Sequence, residues 1–142
     1  MSSTSVDLGF QSNLLYVIIN SMAETKVGGT VWHVEDGDSW RNIVSSILTR
    51  DGHQVVSTPN ATEARRMIPD DLQGVGVSIL DGDLGDGTGA EIAGLIRQSQ
   101  LAIGIIGLSA GNTPWADASL SKLSFDAEDL KATVDRFLGT QE

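Results

Sequence analysis

The run Val75-Gly76-Val77-Ser78-Ile79-Leu80 ends in a single carboxylate, Asp81, and continues into Gly82-Asp83-Leu84-Gly85-Asp86-Gly87-Thr88-Gly89, a glycine-rich acidic loop. A short apolar run bounded by turn formers reads as a buried strand. A helical pattern follows from about Gly89 to Gln98, with Ile92, Leu95 and Ile96 on its buried side. Strand, loop and helix in that order form the repeating unit of open α/β sheets, whose ligand and reaction sites lie just outside the carboxyl ends of the strands. Asp81 therefore stands where such a fold does its chemistry.

The same unit recurs along the chain. Val31-Trp32-His33-Val34 reads as a strand ending in Glu35-Asp36, with Asp38 or Ser39 placed to cap a helix whose apolar stripe is Trp40, Ile43, Val44, Ile47 and Leu48. Gly52 ends that helix, and Gln54 to Ser57 is a weak second strand. Asn60 caps a helix carrying Ala64, Met67 and Ile68, which Pro69 stops. Ala102 to Leu108 is a fourth strand, apolar throughout, with Ser109 at its end. A fifth short strand lies near Ala118 to Ser121 ahead of Lys122, and a last helix starts near Asp126 and buries Leu130, Val134, Phe137 and Leu138. Alternation at these lengths calls for a parallel sheet covered by helices on both faces, a three-layer α/β sandwich.

At 142 residues the chain suits one domain with a sizeable core. Nineteen acidic against nine basic residues give a net charge of −10, which opposes direct DNA binding and suits a site that gathers carboxylates around a cation. The absence of cysteine excludes disulfides and thiolate metal sites. Residues 1–29 stand apart as an N-terminal extension, a helix or a disordered tail, and residues 30–142 form the domain. The apolar stretch Leu14 to Ile19 is too short to span a bilayer and has no basic flank, so no membrane span is expected and the default compartment is cytoplasmic. Residues 8 to 22 offer a surface for a homodimer. His33 reads as a packed strand residue, His53 as a surface turn residue, and the three tryptophans as packing.

Four strand ends thus carry polar groups, Glu35-Asp36, Asp81, Ser109 and Lys122, and a parallel sheet turns all four to one edge. Three crowded carboxylates repel one another unless a cation sits among them. Oxygen donors alone favour a hard cation, Mg²⁺ before Zn²⁺. A cation, an ammonium and a hydroxyl together suit a transferred phosphoryl group with an aspartate as nucleophile.

These residues resemble the receiver domain of two-component response regulators from Val31 to Leu138. The resemblance rests on Glu35-Asp36, Arg41, the Leu80-Asp81-x-x-Leu84-x-Asp86-Gly87-x-Gly89 run, Ser109-Ala110 and Lys122. It implies a flavodoxin-like, doubly wound sheet of five parallel strands in the order 2-1-3-4-5. It implies Asp81 as phosphoacceptor, Asp36, Glu35, Asp81 and the Asp83 backbone carbonyl as Mg²⁺ ligands, and Ser109 and Lys122 as holders of the phosphoryl group. The donor would be a histidine kinase or histidine phosphotransfer protein, and the output would pass through a downstream protein target. Catalysis would be limited to the chain's own phosphoryl transfer and autodephosphorylation, so it would not be an enzyme in the metabolic sense.

Three departures stand out. Gly85 occupies a position where the family has proline, which loosens the loop; Leu123 follows the lysine where proline is usual, which puts its aim in question; and Ser119 replaces a switch aromatic. Ser109 and Lys122 lie only 13 positions apart, too few for a loop, a helix of about 11 residues and a strand. The fourth helix is therefore expected to be short or missing. The alternative reading is a receiver-like scaffold that is never phosphorylated. Asp81-Gly82-Asp83 also resembles the aspartate pair of haloacid-dehalogenase-type phosphatases, but Gly85 stands where their Thr or Val falls. A calcium loop is disfavoured by Ile92 at its closing position.

Overall fold

The computed structural model describes residues 29–139. Five parallel strands, β1 (Thr30–Val34), β2 (Gln54–Thr58), β3 (Val75–Leu80), β4 (Gly104–Ser109) and β5 (Ala118–Ser121), form one sheet in the order β2-β1-β3-β4-β5. Four helices flank it among the described residues: α1 (Asp38–Arg50), α2 (Ala61–Met67), α3 (Gly89–Ser99) and α4 (Ala127–Leu138). This is the receiver-like 2-1-3-4-5 architecture expected above. The homodimer surface and most of the N-terminal extension fall outside the described residues.

Strand alternation sorts the core into two layers. Val31, Val77, Ile79, Ile106 and Leu108 pack with Val44 and Leu48 of α1 and Leu130 and Val134 of α4. Trp32, Val34, Leu80 and Ile105 point the other way, onto Ala61 and Ala64 of α2 and Ile92, Ala93 and Ile96 of α3. Successive side chains of a strand face opposite sides, so each strand of a doubly covered sheet must be apolar on both. The edge strand β2 is mostly exposed, which is why its sequence signal is weak.

Local details differ from the sequence expectations at four places. Gly37, not Asp38 or Ser39, caps α1, because Glu35 Oε2 accepts from Gly37 N at 3.1 Å and draws the chain into the helix one residue early. Ile43 lies at the solvent edge of its stripe, 42 % exposed. The fourth strand starts two residues later than expected and runs through Ser109. His53 is buried, not a surface turn residue. Its Nδ1 accepts from the Gly29 amide at 3.1 Å, which places the proton of the neutral ring on Nε2, 3.2 Å from Asp135 Oδ1. The ring thereby ties the start of β1 to α4.

No helix forms between β4 and β5; residues 110–117 make an irregular strap across the sheet. Trp115 and Ala116 pack against the α2–α3 layer. Arg97 Nη1 donates to the Trp115 carbonyl at 2.7 Å, and Asp117 Oδ2 accepts from Ile105 N at 2.8 Å. Thr113 is buried over Gly107, where a Cβ would lie 2.3 Å from its hydroxyl oxygen.

Candidate functional site

Backbone pairing continues one residue past the strands and fixes the site at its base. Glu35 N donates to Thr58 O, Asp81 N to Val34 O and Lys122 N to Ser109 O, each at 3.0 Å. Each of the three side chains thus starts from backbone hydrogen-bonded to the neighbouring strand, with β1 and β3 adjacent and β5 one strand further on. Glu35 is 1 % and Asp81 7 % exposed, whereas Asp36 is open to solvent at the mouth of the site. Carboxylate oxygens of all three lie within 4.8 Å of one another.

Lys122 is the counter-charge. Its Nζ lies 2.8 Å from Glu35 Oε1, 3.0 Å from Glu35 Oε2 and 3.3 Å from Asp81 Oδ2. It reaches both carboxylates with leucine, not proline, behind it. Its aim comes from aromatic packing: Nζ sits 5.2 Å from the centre of the Trp40 ring, and Trp40 meets Phe125 edge-on at 5.1 Å. The β1–α1 turn is held by Arg41, whose Nη1 donates to the Glu35 carbonyl at 2.7 Å and whose other arm pairs with Asp38.

The acidic loop folds back over Asp81. Asp83 N approaches Asp81 Oδ1 at 3.5 Å, and Gly89 N donates to Gly82 O at 3.1 Å. Gly85 has φ +80°, which a proline, fixed near −65°, cannot adopt. The loop is therefore in a conformation of its own and is not merely a looser version of the proline-bearing one. Ser109 stands over the residue after Asp81: a Cβ on Gly82 would lie 3.0 Å from its hydroxyl oxygen, which accepts from Gly111 N at 3.2 Å. The fold thus brings together Glu35, Asp36, Asp81 and Lys122, and sets Asp83 beside Asp81 and Ser109 beside Gly82.

Burial raises the pKa of both Glu35 and Asp81, against the opposing pull of Lys122; the negative neighbours, Asp81 for Glu35 and Asp36 for Asp81, push further up. One ammonium does not balance three carboxylates, two of them buried. A divalent cation fits this donor set: every donor is an oxygen, the exposed Asp36 leaves an entry path, and neutralising the cluster removes the repulsion. Glu35, Asp36 and Asp81, with the Asp83 carbonyl, are the groups that would hold Mg²⁺.

Some contributors were not singled out as functional from the sequence. Trp40 reads as a packing residue and Phe125 goes unremarked, and only the position of Lys122 beside Trp40 reveals a second use for the pair. Asp86 enters the sequence reading as part of the motif run with no role of its own, yet it accepts from Ala61 N (2.8 Å), Thr62 N (2.9 Å) and Thr62 Oγ1 (2.6 Å). Its proximity to α2 is a long-range fact that no local pattern carries.

The site is thus a buried aspartate at a strand end, flanked by an acidic pair and a lysine on a 2-1-3-4-5 sheet. The family model described as the response regulator receiver domain matches residues 31–130. The chain belongs to the response regulator receiver domain family. Among solved structures it is similar to a receiver domain protein from Clostridium thermocellum (19% identity, TM-score 0.71, covering 78% of this chain and 94% of that one). It is also similar to a CheY-like receiver domain protein from Methanospirillum hungatei (25%, 0.68, 78% and 94%). A third is the response regulator TrrA from Thermotoga maritima, solved in complex with Mg²⁺-BeF (24%, 0.66, 77% and 98%). No curated protein matches.

Proposed function

We propose that this chain accepts a phosphoryl group on Asp81, with Mg²⁺ held by Glu35, Asp36, Asp81 and the Asp83 carbonyl, and signals through protein contacts. The observation that carries the reading is Lys122 Nζ, 3.3 Å from Asp81 Oδ2 and 2.8 Å from Glu35, in a mostly buried pocket of three carboxylates. Asp81 is the nucleophile: a carboxylate oxygen forms the new O–P bond as the P–N bond of a donor phosphohistidine breaks, and the departing imidazole takes up a proton. Lys122 and the Ser109 hydroxyl stabilise the charge of the transferred group. When bound, Mg²⁺ neutralises phosphoryl oxygens and the acidic cluster.

The donor in this reading is a histidine kinase or histidine phosphotransfer protein, the recipient of the signal is a downstream protein target, and the compartment is the cytoplasm. The chain turns over only its own phosphoryl group, in gain and in autodephosphorylation. Incubation with Mg²⁺ and acetyl phosphate, followed by intact mass, tests this. The expected result is one added phosphoryl mass in the wild type and none in Asp81→Asn. An unlabelled wild type, under conditions that label an active receiver, rejects the reading in favour of the scaffold. One observation favours that second reading: Thr113 Oγ1 and Ser119 Oγ lie 2.6 Å apart where the family's switch aromatic would turn.

A further inference from the structure

The loop that supplies Asp81 and Asp83 is fastened to a helix on the far side of the sheet from Lys122. Both oxygens of Asp86 are engaged at the start of α2: Oδ1 accepts from Ala61 N at 2.8 Å, and Oδ2 accepts from Thr62 N at 2.9 Å and Thr62 Oγ1 at 2.6 Å. Arg65 Nη2 donates to the Asp86 carbonyl at 3.1 Å. The approach is close: a Cβ on Gly87 would lie 2.7 Å from Ala61 Cβ and 2.7 Å from Glu91 Oε1. Within the loop, Leu84 is buried in the same core layer as Ala61, and Leu84 N donates to Gly87 O at 3.0 Å.

A segment with glycines at 82, 85, 87 and 89 has little conformational stiffness of its own. Between the Leu84 anchor and the Thr88–Glu91 capping box that opens α3, Asp86 supplies the side-chain contacts that reach out of the loop. Asp83 lies three residues before it, with its Oδ1 accepting from Gly85 N at 3.0 Å. Asp83 thus lies in a small hairpin, closed by the Gly82–Gly89 and Leu84–Gly87 backbone bonds and anchored by Leu84, which the Asp86 side chain fastens from its tip to α2.

We propose that Asp86 is a positioning residue for the cation pocket, one that holds the Asp83 carbonyl in place by fixing the loop to Ala61 and Thr62 of α2. The inference rests on the receiver reading above. The three hydrogen bonds also hold the Asp86 carboxyl down to a pKa of about 2, so it stays an acceptor throughout the neutral range. The contact replaces, by a side-chain tether, the stiffness that proline gives elsewhere in the family at the position of Gly85.

The test is Mg²⁺ titration of the full chain followed by tryptophan fluorescence, with Trp40 as the nearby reporter, alongside acetyl phosphate labelling at low and saturating Mg²⁺. Supports of a metal ligand typically cost 10- to 100-fold in affinity when removed, so Asp86→Ala should weaken Mg²⁺ binding by about tenfold. Labelling should fall at low Mg²⁺ and recover toward wild type at saturation, which a general loss of folding would not produce. Thr62→Ala, which removes one of the three bonds, should shift the affinity in the same direction by less, and it carries the test if Asp86→Ala fails to fold. Folded variants that bind Mg²⁺ within twofold of wild type overturn the inference while leaving the receiver reading intact. A wild type that neither responds to Mg²⁺ nor takes up phosphoryl overturns both.

Discussion

Two neighbouring regions on the carboxyl side of β4 and β5 face different demands, and the chain meets them in different ways. At the junction with β1 and β3 the polar groups are buried, charged and paired across strands, with Lys122 bridging Glu35 and Asp81. In the strap between β4 and β5, over the same carboxyl half of β4, neutral groups lie close: Thr113 on Gly107, Ser119 against Thr113, and Trp115 beside Gly89. The first region holds buried charge at a cost in stability. The second is knitted by ordinary packing and hydrogen bonds and bears the marks of structure alone. The two regions are built from different side chains and meet at Gly89, where a Cβ would lie 2.3 Å from the Asp81 carbonyl and 2.8 Å from the Trp115 ring.

The largest expected effect lies in the charged region. Lys122→Ala removes the one cation within reach of Asp81 among the described residues, and loss of a preorganised donor of this kind costs on the order of 100-fold in rate. Acetyl phosphate labelling measured over time should show that fall with Asp81 still intact as the labelled residue. A variant that labels at the wild-type rate would erase the contrast between the regions, since Lys122 would then be structural too.

His33 offers the next test, this time on stability. It is fully buried, and neither ring nitrogen has a hydrogen-bond partner. Burial, then the charges of Lys122 and Arg41, hold its pKa down at about 3, so the ring is neutral at ordinary pH. An unsatisfied buried polar group costs about 1–3 kcal/mol. His33→Leu, of similar volume, should therefore raise the melting temperature while leaving phosphoryl uptake intact. Thermal melts of the two proteins measure it.

Much of this was legible because strand ends in a parallel sheet have an address. Glu35, Asp81 and Ser109 each close an apolar run and Lys122 follows a short alternating strand, so topology alone brings them to one edge, and the 13-residue spacing from Ser109 to Lys122 foretold the missing helix. Contacts between elements without such an address were not legible. Asp86 on Thr62, His53 between Gly29 and Asp135, and Thr113 on Gly107 depend on how helices and loops dock, which the local residue pattern does not encode. The doubt over the aim of Lys122 came from Leu123 in sequence; the Trp40–Phe125 pair that resolves it is 85 positions apart in the chain.

A smaller change should separate the strap from the site. Thr113→Val keeps the shape over Gly107 and removes the hydroxyl that meets Ser119, at a cost of about 1 kcal/mol for one hydrogen bond. Stability should fall by that amount with no change in the rate of phosphoryl uptake. If uptake changes as well, the strap is coupled to Asp81 and the two regions are not independent.

The smallest effect is the pH dependence, and its sign distinguishes carboxylates in the same loop. Glu35 and Asp81 have raised folded pKa values, with burial as the main cause. Their contribution to stability is full below the unfolded value of about 4 and is lost as pH rises through the folded pKa. Asp86 runs the other way: with its pKa held down to about 2, its contribution is present above about 4 and is lost as pH falls toward 2. In EDTA, the site's share of stability should therefore decline from mildly acidic toward neutral pH. Asp81→Asn should flatten that decline, because a neutral amide has no ionised form to desolvate. Adding Mg²⁺ should flatten it in the wild type but less in Asp81→Asn, since a cation among the carboxylates favours the ionised form that burial disfavours. Melting curves from pH 4 to 8, with and without Mg²⁺, would read out this pattern; a slope unchanged by the substitution would mean that the acidic cluster is not where the charged region stores its cost.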